Sequence, residues 1–276
     1  MRDSDESSAK GRVLIIAGSD SGGGAGIQAD IKAVTMLGGY AMTAITAITV
    51  QDTTGVHGVY PVEMKAVGEQ MRVCLNDIGA DAIKTGMLGT APLVERVAEE
   101  LDARARDVPR VIDPVMVATS GDRLVDDKAV SAIASLLVRG AGLVTPNAPE
   151  AEVLTGKAVD GINGQRRAAE ALLERGAKAA LVKGGHIPGS PLIDVLQTER
   201  GEWIFESERI ETRSTHGTGC TLASASAALI GQGLDVPDAV EKARAYLFGA
   251  IKHAPDLGHG HGPVAHNWVL QHGQDA

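Results

Sequence analysis

The segment His216-Gly-Thr-Gly-Cys220-Thr221 combines a possible anion site with a thiol, and a run of small and apolar residues (222–229) follows it directly. This run predicts a buried helix that begins at the glycines. A helix start leaves backbone N–H groups free and carries partial positive charge, and glycines let an anion approach closely. A thiol there is expected to lose its proton more easily than a free cysteine. The candidates for phosphoryl transfer to a small molecule are Gly217, Thr218, Gly219 and Cys220.

An inert, buried cysteine in a glycine-rich turn is the alternative interpretation of Cys220, because cysteine is often fully buried. Other polar groups favour the chemical interpretation. Asp113 follows an apolar stretch, where a carboxylate can hold Mg²⁺ on nucleotide phosphates. Asn147 and Glu150 lie at the start of a short helix, and Lys183 ends another apolar stretch, where lysine suits phosphate. Each residue alone could be a turn, cap or surface residue, but together they favour a metal–phosphate site.

The segment 13–30 predicts a strand, a glycine-rich loop and a helix start. It lacks the G-x-x-x-x-G-K-[ST] pattern of a P-loop, but Gly24-Ala-Gly26-Ile-Gln-Ala29 fits G-x-G-x-x-A. Asp52 lies further on than the usual acidic residue that binds a ribose. A dinucleotide-dependent oxidoreductase therefore stays open on this segment, although it leaves the segment around Cys220 unexplained.

Short strand-like runs alternate with helical segments along nearly the whole chain. The predicted strands are 13–17, 43–50, 82–84, 110–112, 143–145 and 179–183, with an edge hairpin at 194–197 and 203–205. The predicted helices are 27–37, 64–78, 92–106, 128–138, 164–175, 218–230 and 237–253. This alternation predicts a three-layer α/β/α fold with a mostly parallel, doubly wound sheet. Polar or glycine-rich residues follow nearly every strand, so we expect the site at the carboxyl edge of the sheet.

Composition bounds the class of protein. We expect a frayed tail at 1–12, a single domain at 13–270 and a small polar flap at 52–58. The formal charge of −9 and the aromatic content of 3% disfavour nucleic acid. No apolar run approaches a membrane span, and two cysteines give no disulfide framework, so we expect a cytoplasmic protein that does not bind membranes. Cys74 is predicted to be core, and the C-terminal histidines (253, 259, 261, 266 and 272) solvated rather than metal-bound.

Seven motifs in order, spanning roughly residues 13–266, resemble the hydroxymethylpyrimidine/phosphomethylpyrimidine kinases of thiamine biosynthesis, which are ribokinase-like. They are Ala17-Gly-Ser-Asp20 with Gly22-Gly-Gly-Ala-Gly-Ile-Gln-Ala-Asp30, Ile83-Lys-Thr-Gly-Met-Leu88, Asp113-Pro-Val-Met116, Thr145-Pro-Asn-Ala-Pro-Glu-Ala151, Val182-Lys-Gly-Gly-His186, Thr215-His-Gly-Thr-Gly-Cys-Thr221 and Gly258-His-Gly-His-Gly-Pro263. The combination is specific, although each motif alone is weak.

The resemblance implies a ribokinase-like kinase that phosphorylates 4-amino-5-hydroxymethyl-2-methylpyrimidine with Mg-ATP, then phosphorylates the monophosphate, and is usually a homodimer. It implies an anion hole at 217–220. Cys220 stands at the position where many ribokinase-like enzymes have an aspartate that acts as the general base. Substrate contacts are implied at Gly18, Asp20, Gln51, Met87 and Val115. Nucleotide contacts are implied at Asn147, Lys183 and Thr215, and metal contacts at Asp113 and Glu150. Bacterial pyridoxal kinases resemble this branch, so vitamin B6 compounds stay alternative substrates. A catalytically weak vitamin-binding protein is a further alternative.

Overall fold

The computed structural model describes residues 11–117, 121 and 124–272. Its strands are β1 (Arg12–Ala17), β2 (Tyr40–Ile45), β3 (Ala47–Gln51), β4 (Val56–Pro61), β5 (Ala82–Thr85), β6 (Arg110–Ile112), β7 (Leu143–Val144), β8 (Ala179–Val182), β9 (Leu192–Thr198) and β10 (Gly201–Ser207). Its helices are α1 (Gly26–Met36), α2 (Met64–Asp77), α3 (Ala91–Arg104), α4 (Asp127–Ala132, continued by a π-helical turn, Ile133–Leu137), α5 (Ala148–Thr155), α6 (Ile162–Glu174), α7 (Thr218–Gly231), α8 (Val236–Lys252) and α9 (Trp268–His272).

Eight strands form one sheet in the order β10-β9-β8-β7-β6-β5-β1-β2. Six neighbouring strands of this sheet are parallel, namely β2, β1, β5, β6, β7 and β8. At the other edge, β9 and β10 form an antiparallel hairpin, as the sequence predicted. The chain places β2 on one side of β1 and then crosses to place β5 on the other. In open α/β sheets, ligands bind at such a reversal, beyond the carboxyl ends of the strands.

The two faces of the sheet carry separate apolar cores. In β1, Leu14 and Ile16 face the cluster that packs against α2 to α6, whereas Val13 and Ile15 face α1, α7 and α8. All four side chains are fully buried, and burial of each such side chain contributes about 1.5–3 kcal/mol. The predicted three-layer α/β/α architecture is therefore confirmed.

The predicted strand at 43–50 is wrong as a single element. Its first part is β2 of the main sheet, and its second part is β3, which pairs with β4 in a separate two-stranded sheet. Thr46 lies at the break, where its N–H donates to the Ala17 carbonyl (3.0 Å) and its hydroxyl to the Met87 carbonyl (2.8 Å). Alternating hydrophobicity cannot reveal a strand that changes sheets. The flap therefore spans residues 47–61, and the predicted segment 52–58 is only its distal part.

The other predicted strands and helices lie within two residues of observed ones. The frayed tail predicted at 1–12 falls mostly on residues 1–10, outside the described residues, and β1 already begins at Arg12. The division into a tail and one domain stays a prediction. Within the part of the chain that the structure describes, none of the helices has both the length and the apolar character needed to cross a bilayer.

Cys74 packs on the core from α2, half-buried, as its spacing from Val67 and Met71 predicted. The prediction of solvated C-terminal histidines holds for His259, His261 and His272 but is wrong for two others. One, His266, is buried, with its carbonyl accepting the Tyr246 hydroxyl. The other, His253, stacks between the Trp268 and His272 rings. The reason is that the chain after α8 folds back onto α8, which glycine-broken sequence does not indicate.

Candidate active site

The predicted anion site is the start of α7, which begins directly after Gly217. Gly217 has a φ of +78°, and a Cβ there would overlap the carbonyl oxygen of Gly24. Only glycine therefore lets this segment pack against the loop that precedes α1. The helix start brings Gly217, Thr218, Gly219 and Cys220 into one turn, and its backbone N–H groups and partial positive charge suit an anion.

Cys220 lies in this first turn with its sulfur beside the backbone N–H of Gly26. The residue is half-buried, and desolvation of the thiol raises its pKa to about 12, against the opposing effect of the Lys84 charge. The expectation that the helix start lowers this pKa is therefore wrong for the protein without substrates. Position in a helix can be read from sequence, whereas desolvation depends on what the fold packs around the sulfur.

A buried ion pair lies behind this helix start. Lys84 Nζ is 2.8 and 2.9 Å from the two carboxylate oxygens of Asp30, and both side chains are fully buried. Ser224 donates to the same carboxylate over 2.6 Å and lies one helical turn after Cys220 in α7. Burial lowers the pKa of Lys84, but the charges of Asp30, Cys220 and Asp113 raise it well above its usual range. Lys84 is therefore a fixed positive charge beside the thiol, a role that sequence reasoning missed.

Asp20 organises the glycine-rich loop before α1. Its carboxylate accepts the N–H groups of Gly22 (2.8 Å), Gly24 (2.9 Å) and Ala25 (2.8 Å) and lies 2.8 Å from His216 Nε2. Burial acts to raise the pKa of Asp20, but the hydrogen bonds with His216 and the backbone lower it overall. These amides would otherwise be available to a dinucleotide pyrophosphate. Their use by a carboxylate of the chain argues against the oxidoreductase interpretation.

Gln51 ends β3 of the flap and faces this loop. Its amide Nε2 lies 3.5 Å from His216 Nε2, and its Oε1 accepts the Thr49 hydroxyl over 3.2 Å. The backbone N–H and carbonyl of Gln51 both bond the hydroxyl of Ser21. The base of the flap is thus held against the glycine-rich loop, and the half-buried Gln51 side chain lies near His216, the residue before Gly217.

Gly18 and Met87 meet at the carboxyl ends of the neighbouring strands β1 and β5. A Cβ on Gly18 would stand 2.6 Å from Met87 Cε, so glycine leaves the space that the methionine occupies. Val115, half-buried, follows β6, the next strand in the sheet, and donates its N–H to the Asp113 carbonyl (2.8 Å). Gly18, Met87 and Val115, three of the substrate contacts that the resemblance implies, therefore follow three adjacent strands.

Asp113 and Lys183 meet beside the start of α7, with Lys183 Nζ 3.5 Å from Asp113 Oδ1. Thr145 donates to the same oxygen over 3.4 Å. The other carboxylate oxygen, Asp113 Oδ2, is buried and has no hydrogen-bond partner among the described residues. An orphaned carboxylate oxygen is what a divalent cation would satisfy. The described residues hold no group of three or more His, Cys, Asp and Glu side chains that could bind a metal ion.

Asn147 and Glu150 form a capping box at the start of α5. The Asn147 side chain accepts the Glu150 N–H (2.9 Å), and the Glu150 carboxylate accepts the Asn147 N–H (2.8 Å). Burial raises the pKa of Glu150 to about 7, opposed by Lys183. Both residues therefore cap α5. From the sequence, only their position at the start of a helix was predicted, and not these two hydrogen bonds. Thr215, the remaining nucleotide candidate, lies 3.3 Å from His261 Nδ1 through its hydroxyl.

The family model for phosphomethylpyrimidine kinase matches residues 20–265. The chain belongs to this family. It is 46% identical over 94% of its length to the hydroxymethylpyrimidine/phosphomethylpyrimidine kinase of Streptomyces coelicolor, covering 95% of that protein. The chain is thus a phosphotransferase by family, which agrees with an anion site facing an aspartate–lysine pair.

Two solved structures show the same fold. A phosphomethylpyrimidine kinase from Clostridium difficile is 35% identical, with a TM-score of 0.78 over 87% of this chain and 99% of that one. The pyridoxal kinase from Staphylococcus aureus, in complex with AMP-PCP and pyridoxal, is 34% identical, with a TM-score of 0.86 over 95% of each chain. The ribokinase-like fold class predicted from the motifs is therefore confirmed, and pyridoxal kinases are structural relatives.

The buried ion pair gives a first prediction. Asp30→Asn should lower the free energy of unfolding by about 3–5 kcal/mol, because it leaves the Lys84 charge buried without its partner. Ser224→Ala removes only one hydrogen bond to Asp30 and should lower it by about 1–3 kcal/mol. Urea unfolding followed by circular dichroism measures both. A loss below about 1 kcal/mol for Asp30→Asn would contradict a charged pair.

Proposed function

We propose that the protein transfers the γ-phosphoryl group of ATP to 4-amino-5-hydroxymethyl-2-methylpyrimidine and then phosphorylates the monophosphate to the diphosphate. The observation that carries this proposal is the start of α7, where Cys220 lies beside Lys84 and where a Cβ on Gly219 would stand 3.3 Å from Lys183 Nζ, the partner of Asp113. The names of the family and of the Streptomyces coelicolor relative support the substrate class.

ATP is the proposed donor, because the Staphylococcus aureus relative binds AMP-PCP in the same fold. Asp113, with its orphaned oxygen, would hold Mg²⁺ directly, and Glu150 would contribute through water because its carboxylate already accepts the Asn147 N–H. When bound, the cation neutralises charge on the phosphates. Lys183 adds a point charge from the end of β8, where its backbone forms an isolated bridge with Asn147, and Thr215 is the further nucleotide contact that the resemblance implies.

The acceptor side positions a hydroxymethyl group against Cys220. Backbone N–H groups of residues 217–220 would receive the charge that develops on the transferred phosphoryl group. Cys220 would accept the hydroxyl proton, directly or through water, with the Lys84 charge and the Gly26 N–H favouring the thiolate. The flap would exclude water, which competes with the alcohol for the phosphoryl group. Gly18, Met87 and Val115 would contact the ring, and Asp20 would act through the loop and His216.

A pyridoxal kinase is the second candidate, favoured by the Staphylococcus aureus complex that contains pyridoxal. The sequence relative at 46% identity is named for the pyrimidine, whereas the pyridoxal kinase is 34% identical, so the pyrimidine is the preferred substrate. Incubation with Mg-ATP and each alcohol separately, with products identified by mass, decides between them. A diphosphate product from the pyrimidine shows both steps, and no transfer to either alcohol contradicts the proposal.

Assembly and location form a separate part of the proposal. The outer face of the flap exposes Ile48, Val50 and Tyr60, of which Tyr60 is 64% exposed. Such an apolar patch on a two-stranded sheet suits a homodimer contact. The formal charge of −9 supports a protein that does not bind nucleic acid, and the low cysteine content supports a cytoplasmic one.

Cys220→Ala should lower kcat by about 10²–10⁴-fold with a small change in alcohol binding, because a positioned base contributes that much. In the unmodified enzyme, kcat should rise with pH above neutrality, since burial raises the pKa of this thiol to about 12. Cys74→Ala, the matched control on α2, should keep both kcat and the pH profile. A near-normal kcat for Cys220→Ala would assign the base elsewhere.

Asp113→Asn should raise the Mg²⁺ concentration needed for half-maximal activity or lower kcat, because a carboxylate oxygen becomes a neutral amide. A magnesium titration of kcat measures both effects. Asp77→Asn, at the exposed end of α2, is the control for the loss of one negative charge. If the magnesium dependence and kcat are both unchanged, Asp113 does not bind the metal and is only a structural turn residue.

Gln51→Leu should weaken the apparent affinity for the pyrimidine by about 1–3 kcal/mol, the cost of leaving a buried polar group of the ligand unpaired. A side-chain amide offers a donor and an acceptor, which matches the edge of an aminopyrimidine. The KM for ATP should be nearly unchanged, and it serves as the internal control. Equal losses for both substrates would indicate general disruption, and an unchanged pyrimidine KM would remove Gln51 from the site.

A further inference from the structure

The segment 258–263, here called the strap, lies against one residue of the flap. The hydroxyl oxygen of Thr53 accepts the N–H groups of His259 (3.1 Å) and Gly260 (3.2 Å). The carbonyl oxygen of Thr53 accepts the N–H of His261 over 2.7 Å. Three successive amides of the strap thus converge on a single residue in the turn between β3 and β4.

The glycines of the strap are required by this contact. A Cβ on Gly258 would overlap the Thr53 side chain, and a Cβ on Gly260 would overlap the Thr53 carbonyl. Gly258 also has a φ of +80°. In the segment Gly258-His-Gly-His-Gly262, the first two glycines therefore allow the strap to approach the flap closely. Metal binding by its histidines is not needed to explain the pattern.

At its other end, the strap is joined to residues 213–216, which lead into the start of α7. The N–H of His216 donates to the Gly262 carbonyl (3.1 Å), and the N–H of Gly262 donates to the Arg213 carbonyl (3.2 Å). His216 and Pro263 form an isolated parallel bridge. The strap therefore runs from the tip of the flap to the residue that directly precedes the anion site.

These contacts close a ring. Gln51, two residues before Thr53, lies beside the His216 ring, and the His216 backbone bonds the strap that holds Thr53. The base of the flap is thus held by the Ser21 hydrogen bonds beside Gln51, and its tip is held by the strap through Thr53. Two attachments fix the orientation of a two-stranded sheet, whereas one leaves it free to pivot.

We propose that the strap is a positioning element that holds the flap closed over the acceptor through Thr53. The inference rests on the proposed function, in which Gln51 contacts the acceptor and the flap excludes water. Neither Thr53 nor the strap glycines touch the reacting atoms in this scheme. A loosened flap would admit water, whose oxygen would attack the γ-phosphorus while the bond to ADP breaks and a proton passes to solvent. The products would be ADP and inorganic phosphate instead of the phosphorylated alcohol.

Two variants of the full-length enzyme test the contact. Thr53→Val keeps the shape of the side chain and removes the hydroxyl oxygen, and Gly260→Ala places a methyl group against the Thr53 carbonyl. Thr53→Val leaves two strap N–H groups without their acceptor, and each lost hydrogen bond corresponds to a factor of about 2 to 12. We therefore expect both variants to raise the alcohol KM by at least about 2-fold, with the KM for ATP unchanged. Both should also raise the ratio of ADP formed to alcohol phosphorylated above the value of the unmodified enzyme.

Two further variants serve as controls. Thr53→Ser keeps the hydroxyl and should restore the normal ratio. Gly161→Ala adds a methyl group at an extended glycine that has no neighbouring atom within 4 Å, and it should behave as the unmodified enzyme. An unchanged ratio and an unchanged alcohol KM in folded Thr53→Val and Gly260→Ala would overturn the proposal. A lower kcat with normal coupling would also overturn it, because it indicates a purely structural contact.

A measurement without substrates separates this inference from the proposed function. Hydrogen exchange of the amides at 47–61 should be faster in Thr53→Val than in Thr53→Ser, whichever alcohol the enzyme uses. Faster exchange with no turnover of either alcohol by the unmodified protein would refute the proposed function and keep the attachment of the flap. Equal exchange in the two variants would refute the strap as its anchor.

Discussion

The ion pair between Lys84 and Asp30 is the interaction on which the geometry of the site depends. Two charges removed from water are tolerated only when they are paired at short distance and their remaining hydrogen-bonding capacity is satisfied. Here the pair joins β5 to α1, and Ser224 adds α7 through a 2.6 Å hydrogen bond. Three elements that are distant in sequence are thereby fixed at one point behind the anion site.

The composition of α7 explains why such a tether matters. Alanines at 223, 225, 227 and 228 are all fully buried, so the helix packs closely on the sheet. Because alanine side chains are small, their packing alone does little to fix the rotation of α7 about its axis or its position along that axis. The hydrogen bond from Ser224 to the buried carboxylate sets both. Cys220 and the amides at the helix start are positioned as a consequence, since they lie one turn earlier on the same helix.

Much of the fold could be predicted because its signals are local. Apolar runs, glycine breaks and polar strand ends gave the elements to within two residues, and the strand ends led to Asp113 and Lys183. The Lys84–Asp30 pair escaped because its residues lie 54 positions apart and each has an ordinary local role. The break of the strand at Thr46, the burial of His266 and the raised pKa of Cys220 escaped for the same reason, since each depends on contacts between distant segments.

The proposed nucleotide and acceptor sides of the site differ in what holds them. Asp113 and Lys183 follow strands of the main sheet and Glu150 lies in the capped first turn of α5, where burial raises its pKa to about 7. A divalent cation nearby would favour the carboxylate and restore its charge. The proposed acceptor side instead depends on the flap, which is hydrogen-bonded to Ser21 and to the strap, whereas its Gln51 amide only lies near His216. Such contacts break more easily than a core, so we expect the flap to open for an alcohol without disturbing the proposed phosphate side.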